Sequence, residues 1–463
     1  MSIDTVFDAG LLGRYDRPGP RYTSYPSAPQ FSPRFTAADL RAYARRSNEE
    51  PIPRNLSLYV HVPYCFSPCF YCGCNRVITR DFGRAAPYVE RVTREAERIA
   101  ALFDRSREMI QVHFGGGTPN FLTAEQLGEL LESFGKFFRL SSSPERDFSI
   151  ELDPRFLRGG DIAAYGRMGM NRASLGVQDF DPAVQAAINR VQSVELTLSA
   201  IEQCRQAGFR SVNVDLIYGL PRQTPTGFGR TLETVLQARP DRVAIYGYAH
   251  MPEMFKAQRQ IVPADLPSAT QRVELLSRAI EQLTAAGYRH IGLDHFALPK
   301  DDLCRALDEG SLHRNFMGYT THADCDLIGL GASAISHIGD SYSQNHRNLV
   351  DWEAAVDQGH LPVWRGIELS EDDVIRADVI QQIMCRGEVD LARVEQRYDL
   401  VFEEYFSDAL EAMVPLMQDG LVDVDPERIS ATARGRLLLR LIAMCFDRYL
   451  MSQVEKPRHS RVV

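Results

Sequence analysis

From about residue 55 the chain alternates between two hydrophobic rhythms. Leu56-Ser57-Leu58-Tyr59-Val60-His61-Val62 places apolar side chains at every second position, the mark of a half-buried strand. Beyond a cysteine-rich loop, Val89, Val92, Ala96, Ile99 and Phe103 recur at helical spacing behind Pro87, which predicts a helix. Ile110-Gln111-Val112-His113-Phe114 predicts the next strand, ending in Gly115-Gly116-Gly117-Thr118-Pro119. Further strands are predicted over 147–153, 172–178, 211–218 and 242–248, with helical stretches between them. Several of those helices run out at a glycine (Gly169, Gly208, Gly287), where a left-handed cap fits. Repeated strand–helix units dictate a parallel sheet with right-handed crossovers. Six of them make an α/β fold, an open or partial (β/α)6 barrel with ligands at the C-terminal ends of its strands.

Residues 1–50 do not keep this alternation. Gly19-Pro20-Arg21-Tyr22-Thr23-Ser24-Tyr25-Pro26 is too rich in proline and aromatics for a regular helix and predicts an extended arm across the barrel. The barrel is expected over 51–362, and beyond Pro362 the pattern of 363–463 turns mostly helical. There, Gly420-Leu421-Val422-Asp423-Val424 and Ile429-Ser430-Ala431-Thr432 predict a small hairpin, followed by a helix over 432–450 carrying Leu437, Leu441 and Met444. Helices plus a short hairpin resemble a winged-helix module. The residues before it (Glu368, Glu371, Asp372, Asp373, Asp378) are acidic, so a packing lid is favoured over a DNA-binding surface.

The chain of 463 residues is long enough for two or three domains, and its 44% hydrophobic content is enough for a large core. A net charge of −9 argues against a sequence-independent nucleic-acid surface. No apolar run reaches the ~18 residues of a membrane span. The start, Met1-Ser2-Ile3-Asp4, has no apolar core flanked by basic residues, so no signal peptide is expected. Cys204, Cys304, Cys325, Cys385 and Cys445 are scattered singly, which fits reduced thiols in the cytoplasm rather than a disulfide framework. Cys204 follows Leu198 and Ile201 at helical spacing and is expected in the core.

The chemistry concentrates in Tyr64-Cys65-Phe66-Ser67-Pro68-Cys69-Phe70-Tyr71-Cys72-Gly73-Cys74. Cys65, Cys69 and Cys72 are spaced C-x3-C-x2-C, and a [4Fe–4S] cube takes one thiolate per iron. Three ligands leave one iron open, the layout that chelates S-adenosylmethionine (SAM) for reductive cleavage to a carbon radical. The alternatives are a zinc site or core cysteines. Structural zinc usually draws on two separated ligand pairs, and this chain has no second C-x2-C and no H-x3-H. The glycine run at the next strand end lets backbone approach a ligand closely, here the amino and carboxylate groups of SAM. Tyr71 either flanks the adenine or is an ordinary loop aromatic. Glu151, Gln178, Arg190 and Asp215 recur in or near successive strands, as ligands to ribose and carboxylate groups or as structural salt bridges. Asp294 and His295 are either a site pair or a satisfied structural pair.

Beyond these readings, GPRYTSYP (19–26), YVHVPYC…CFYCGC (59–74), FGGGTP (114–119), IELDP (150–154), GVQDF (176–180), DLIYGLP (215–221), HRNFMGYTT (313–321) and MCFDRYL (444–450) resemble the oxygen-independent coproporphyrinogen III oxidase family of radical SAM enzymes. The resemblance spans almost the whole chain. It implies a radical-SAM partial barrel with Cys65, Cys69 and Cys72 as cluster ligands and Cys74 outside the set. It further implies two SAM molecules in one cavity. Tyr59, Gly116, Glu151 and Ile335 would line the first, and Tyr71, Gly117, Thr118, Gln178, Arg190, Asp215 and Ala249 the second. Phe316 and its neighbour at 317 would stand near substrate, but position 317 is Met where Gln is expected, which removes an amide from that contact.

The implied reaction is anaerobic decarboxylation of two propionates of coproporphyrinogen III to vinyl groups, giving protoporphyrinogen IX in heme biosynthesis. It calls for a low-potential donor of flavodoxin or ferredoxin type and an unidentified electron acceptor, in a cytoplasmic monomer without nucleic acid or membrane. Arg14, Arg17 and Arg21 in the arm, with Arg458 and Arg461, are either the positive field for the substrate's four carboxylates or solvated surface arginines. The alternatives are a heme-carrying chaperone and a radical-SAM methyltransferase. The CGC ending and the PRYTSYP arm argue against the chaperone.

Overall fold

The period-two stretches of the sequence all become strands in the computed structural model, which describes residues 8–15 and 17–451. Six of them lie side by side in chain order, all parallel: β1 (Asn55–Val62), β2 (Glu108–Gly116), β3 (Asp147–Leu152), β4 (Arg172–Gln178), β5 (Ser211–Tyr218) and β6 (Arg242–Gly247). Helices Ala85–Ala100, Ala124–Phe137, Asp161–Arg167, Val194–Gln206 and Pro225–Ala238 return the chain between them. Their starts are written in the sequence. Thr123 and Gln126 form a reciprocal capping box, Ser193 caps its helix, and Thr224 caps one that opens on Pro225. Val89, Val92, Ala96 and Ile99 turn inward from the first helix, and Cys204 is fully buried beside Ile201. Phe103 is buried too, but just past the end of its helix.

The sheet is wider than the six expected units. On one side β6 pairs antiparallel with β8 (His295–Ala297), and β8 with β7 (Arg289–Gly292). On the other, β9 (Cys325–Leu330) lies parallel to β1 and is followed by antiparallel β10 (Ile335–His337), β11 (Ser341–Asn345) and β12 (Val363–Glu368). A separate hairpin, His313–Asn315 with Gly318–Thr320, turns at Phe316-Met317.

Three expectations change. The boundary at 362 is displaced, because Val363–Glu368 is the outermost strand of the main sheet, held by β11 and by a two-way backbone pairing of Gly366 with Ser32. Residues 1–50 are not simply an extended arm across the barrel. Ala9–Tyr15 and Ala37–Asn48 are helices, the second opened by a Thr36–Asp39 capping box. Leu11, Leu12, Tyr22 and Tyr25 are buried in the C-terminal core with Ile375, Phe402 and Phe446, whereas Phe35, Leu40 and Tyr43 pack on the barrel. Tyr22 also donates to Asp447 at 3.0 Å. Apolar aromatics leave water wherever a core is closest, and for the PRYTSYP segment that core is the C-terminal body.

The third change is at the end of the chain. The helix predicted over 432–450 is broken into Gly435–Leu438 (3-10), Leu439–Cys445 and Arg448–Met451. Thr432 donates to the Gly420 carbonyl at 2.7 Å and accepts from Gly435, which pulls the first turn onto Leu421, and Asp447 accepts from the Tyr449 amide to start a new turn. The predicted hairpin forms, as Val422–Val424 with Arg428–Ala431, and gains a third strand, Glu388–Asp390. No helix among the described residues is long and apolar enough to cross a membrane.

A buried carboxyl fastens the sheet extension to the first barrel helix. Glu95 accepts from Trp352 Nε1 at 3.0 Å, Asn345 Nδ2 at 2.7 Å and the Gly331 amide at 3.0 Å. Burial pushes its pKa up to about 7 in spite of those donors. An acid whose folded pKa is raised contributes stability that is complete below the unfolded value near 4.5 and lost as pH rises through 7. Urea unfolding at pH 5 and pH 8 is therefore expected to show Glu95→Gln losing about 3 kcal/mol less than the native chain between the two pH values.

Candidate active site

The cysteine loop and the residues that line its cavity sit mostly at or just beyond the C-terminal ends of β1 to β5. His61, near the end of β1, places the cysteine loop: its Nε2–H donates to the Asn75 carbonyl at 2.8 Å, leaving Nδ1 to accept the Tyr59 hydroxyl at 3.1 Å. Burial lowers the His61 pKa, in keeping with a neutral ring. Arg76 gathers the loop from inside, donating to the carbonyls of Cys72 at 3.0 Å, Cys74 at 3.3 Å and Cys69 at 3.2 Å. The far side is held by the Phe70 amide on the Ile188 carbonyl and by Asn189 Nδ2 on the Pro68 carbonyl at 2.7 Å. Phe66 stacks on Phe156 at 4.1 Å and meets Phe121 at 5.0 Å, walling the loop off with aromatic rings.

Cys65, Cys69 and Cys72 line one cavity of about 280 Å³. Among the described residues, no three His, Cys, Asp or Glu side chains are gathered tightly enough to hold a single metal ion. Three thiols lining one cavity suit a cluster that takes one thiolate per iron. Thr118 Oγ1 donates to Cys65 Sγ at 3.4 Å, while Arg155 and Arg190 each bring a guanidinium nitrogen to 3.6 Å from Cys69 Sγ. The Cys74 side chain, aided by its amide at 3.4 Å, lowers the Cys72 thiol to about 6, whereas burial raises Cys65 to about 11.

Gly116 and Gly117 are required by crowding. Gly116 has φ +107°, and a Cβ there would lie 2.6 Å from the His61 ring. One on Gly117 would lie 2.8 Å from the carbonyls of Val62 and Tyr64. The Gly116 amide donates to Glu151 at 3.1 Å, and His113 Nε2 approaches the other Glu151 oxygen at 3.2 Å. Burial works to raise the Glu151 pKa, but these donors hold it below the usual carboxylate value. Tyr59 stacks on His113 at 5.7 Å, so it orients Glu151 through that ring instead of lining the cavity itself.

Asp215, on β5, accepts from Ser174 at 2.9 Å and from Asn213 at 2.7 Å, and burial raises it to about 6. Gln178 ends β4 in a left-handed conformation, φ +71°. Arg190 donates to the Gly176 carbonyl and to Asp153 at 3.0 Å. Of the expected residues, the cavity brings together Cys65, Cys69, Cys72, Tyr71, Gly116, Gly117, Thr118, Glu151, Gln178, Arg190 and Asp215. Ala249 stands behind it, joined to Tyr71 through Gln258 Nε2, which donates to both carbonyls. Ile335 lies on β10, away from the lining.

The neighbours Phe316 and Met317 face different spaces. Met317 lines an inner cavity of about 140 Å³ that shares Glu151, Ser174, Asp215 and Tyr246 with the thiol cavity. Phe316 meets Tyr342 edge-on at 5.9 Å, in a larger cavity of about 680 Å³ between the strand starts and the C-terminal body. The arm arginines are partly engaged. Arg14 pairs with Asp419 at 2.7 Å and Arg21 with Asp294, while Arg17 is exposed. Arg458 and Arg461 lie outside the described residues. Asp294 therefore has a structural partner, and His295 stands among the rings of Tyr246 and Tyr319.

Sequence reading missed Asp153, Arg155, Arg76 and His61. Asp153 closes the IELDP segment and is clamped by Arg155 at 2.7 Å and Arg190 at 3.0 Å; these two arginines lower its pKa against the effect of burial. Its position just past a strand end was the available signal.

Comparison with known proteins follows the same lines. Residues 59–235 match the Radical SAM superfamily and residues 369–438 the HemN C-terminal domain. The chain is 47% identical over 462 residues to the oxygen-independent coproporphyrinogen III oxidase of Pseudomonas aeruginosa, covering 100% of both chains. It is 45% identical over 465 residues to that of Escherichia coli K12, again covering 100% of both. The solved structure described as coproporphyrinogen III oxidase (HemN) from Escherichia coli, a radical SAM enzyme, superposes with a TM-score of 0.91 at 44% identity, covering 97% of this chain and 100% of that one.

Arg76 fixes three loop carbonyls without being a ligand. Arg76→Ala is expected to lower iron retention by about tenfold against a competing chelator, the scale of lost supporting contacts. Iron analysis and visible absorbance of the reconstituted protein check it.

Proposed function

The chain belongs to the oxygen-independent coproporphyrinogen III oxidases, radical SAM enzymes of heme biosynthesis, and from that premise we propose how its residues serve the reaction. The activity is oxidative decarboxylation of two propionate side chains of coproporphyrinogen III to vinyl groups, yielding protoporphyrinogen IX without oxygen. A [4Fe–4S] cluster and SAM, when bound, supply one-electron cleavage of SAM and the carbon radical that takes hydrogen from the substrate.

The observation that carries the residue assignments is a pair of adjoining cavities that share Glu151, Ser174, Asp215 and Tyr246, one lined by the three thiols and the other by Met317. Cys65, Cys69 and Cys72 hold the cluster, and Cys74 supports Cys72 without joining the set. Gly116, Gly117 and Thr118 present backbone to the SAM amino-acid end. Glu151, oriented by Tyr59 and His113, accepts from that end or from ribose hydroxyls, and Ala249 stands behind Tyr71, joined to it through Gln258. Tyr71, Gln178, Arg190 and Asp215 are the residues for a second SAM molecule. Arg155 and Arg190 set two positive charges against Cys69, which offsets the negative charge of a thiolate-bound cluster. The rings of Phe66, Phe121 and Phe156 exclude water from the loop.

Met317 marks where a propionate reaches the inner space. The cavity lined by Phe316 carries Arg314, Arg386 and Arg393, which we assign to carboxylates that do not react. The division into residues 1–50, 51–362 and 363–463 is replaced in this reading by a barrel with its sheet extension and a C-terminal body that includes the arm. A low-potential donor of flavodoxin or ferredoxin type and an electron acceptor complete the reaction. We take the chain to work in the cytoplasm, a reading supported by its scattered single cysteines, and as a monomer, since its sequence carries no heptad run or repeat.

Anaerobic turnover of the reconstituted protein with coproporphyrinogen III, SAM and dithionite tests the whole reading by product mass. Successive loss of two CO2 with release of 5′-deoxyadenosine is expected; SAM cleavage with no porphyrinogen product would sink it. Cys74→Ser is expected to keep full iron content, whereas serine at Cys65, Cys69 or Cys72 abolishes it. Asp215, raised to about 6, is neutral below that pH and a stronger acceptor above it. SAM binding followed by calorimetry should tighten several-fold as pH rises from 5 to 7.5, and Asp215→Asn should remove that dependence.

A further inference from the structure

The chain on either side of the cysteine loop, Pro63-Tyr64 and Asn75-Arg76-Val77, borders a second space of about 820 Å³ that Arg84, Arg347 and Val350 also line. Arg76 lines both this groove and the thiol cavity, and its guanidinium touches the carbonyls of all the residues from which the loop presents its last sulfurs. The wall between groove and thiols is therefore one side chain thick. Asn75 crosses the groove floor, donating to the Arg347 carbonyl at 2.8 Å, so the loop and the turn after β11 move as one surface.

The charge of that surface runs against the charge of the chain. Arg80, Arg84 and Arg347 are exposed, and among the described residues none of them has an ion-pair partner. Of the acids nearby, Glu353 and Asp357 are held by Arg91, at 3.4 and 2.8 Å, while Asp351 beside Val350 is exposed. Asp81 is engaged locally, accepting from the Gly83 amide at 3.0 Å. With a net charge of −9 over the whole chain, this is a local cationic patch on an acidic protein. Val350, exposed at 66%, lines it, and Ile78 and Phe82, exposed at 42% and 54%, are chain neighbours of the lining residues Val77, Asp81 and Gly83. Exposed apolar groups among unpaired arginines are the composition of a protein-docking face.

We propose that this groove docks a small acidic one-electron carrier protein, which reduces the cluster through the loop beneath it. The inference rests on the cluster assignment above and names the face through which its electron enters. The step is a single electron transfer: the carrier is oxidised by one electron, the cluster is reduced by one, and no bond or proton moves. Acidic side chains of the carrier meet Arg80, Arg84 and Arg347, which steer the encounter, while Val350, Phe82 and Ile78 lose water at the contact.

The test uses the reconstituted full chain, with reduced flavodoxin as the carrier probe, and the variant Arg80→Glu/Arg84→Glu/Arg347→Glu. None of the three substituted side chains has been placed at the cluster or the SAM cavity. Flavodoxin binding by calorimetry at low salt is expected to weaken about tenfold or more in the variant, and native binding to weaken with added salt. Flavodoxin-driven turnover should fall by a similar factor, and dithionite-driven turnover should stay unchanged, which also shows that the variant is folded. Flavodoxin binding and flavodoxin-driven reduction equal to the native chain would overturn the proposal. Absence of dithionite-driven turnover in the native protein would instead count against the assigned reaction, and the binding comparison would still decide the docking face.

Discussion

Asp153 sits between two guanidinium groups that both reach the sulfur of Cys69, and much of the site is arranged around that clamp. A buried carboxylate is tolerated only when its charge is answered, and a buried arginine likewise. Here the two requirements meet in one place. Asp153 comes from the end of β3, Arg155 from the turn beside it, and Arg190 from the segment after β4, so three chain segments are locked to the cysteine loop by charge. Arg190 also donates to the Gly176 carbonyl, and its own pKa is held up by Tyr71 and Asp153 against burial. The positive charge in excess at the clamp faces the sulfur of Cys69.

The parallel barrel makes this convergence possible. Strands side by side in register deliver their C-terminal ends to one rim, and only there does the backbone leave the sheet free to bend toward a ligand. The barrel is open, however, and an open sheet has edges that must be covered. The hairpin at 313–320 supplies part of the closure and puts Met317 into the inner cavity. The arm supplies another part, with Arg21 paired to Asp294 and lying 5.6 Å from the centre of the Tyr246 ring. Tyr246 itself borders both the thiol cavity and the inner one, so the arm is mechanically connected to the site although its aromatic residues belong to the C-terminal core.

Much of this was legible along the chain. The strands from 55 to 248 and the turn glycines followed from period, and the thiol set from spacing. Arg76 was not legible, and Asp153 was marked only by its place just past a strand end, because a charged residue beside a motif looks the same in sequence whether it faces water or a sulfur. The broken helix after 432 was hidden for a similar reason. Leu437, Leu441 and Met444 keep helical spacing, but the hydrogen bonds of Thr432 and Asp447 cut the helix at both ends. The strand at Val363–Glu368 was hidden because it pairs at the far edge of a sheet begun three hundred residues earlier.

The sequence by itself determined the kind of chemistry: three thiols at C-x3-C-x2-C and the GGGTP turn at the following strand end are local facts, set by the reach of a few residues. It also determined the barrel's repeating units, since period two and period 3.6 are properties of neighbours in the chain. Tertiary structure alone decided which charges meet, because ion pairs such as Arg190 with Asp153 and Arg21 with Asp294 join residues far apart in sequence. It decided, too, that Phe316 and Met317, adjacent in the chain, face different cavities, and that the arm is buried in the C-terminal core. Burial and charge pairing act through space, and the order of residues fixes them only once the whole chain has closed.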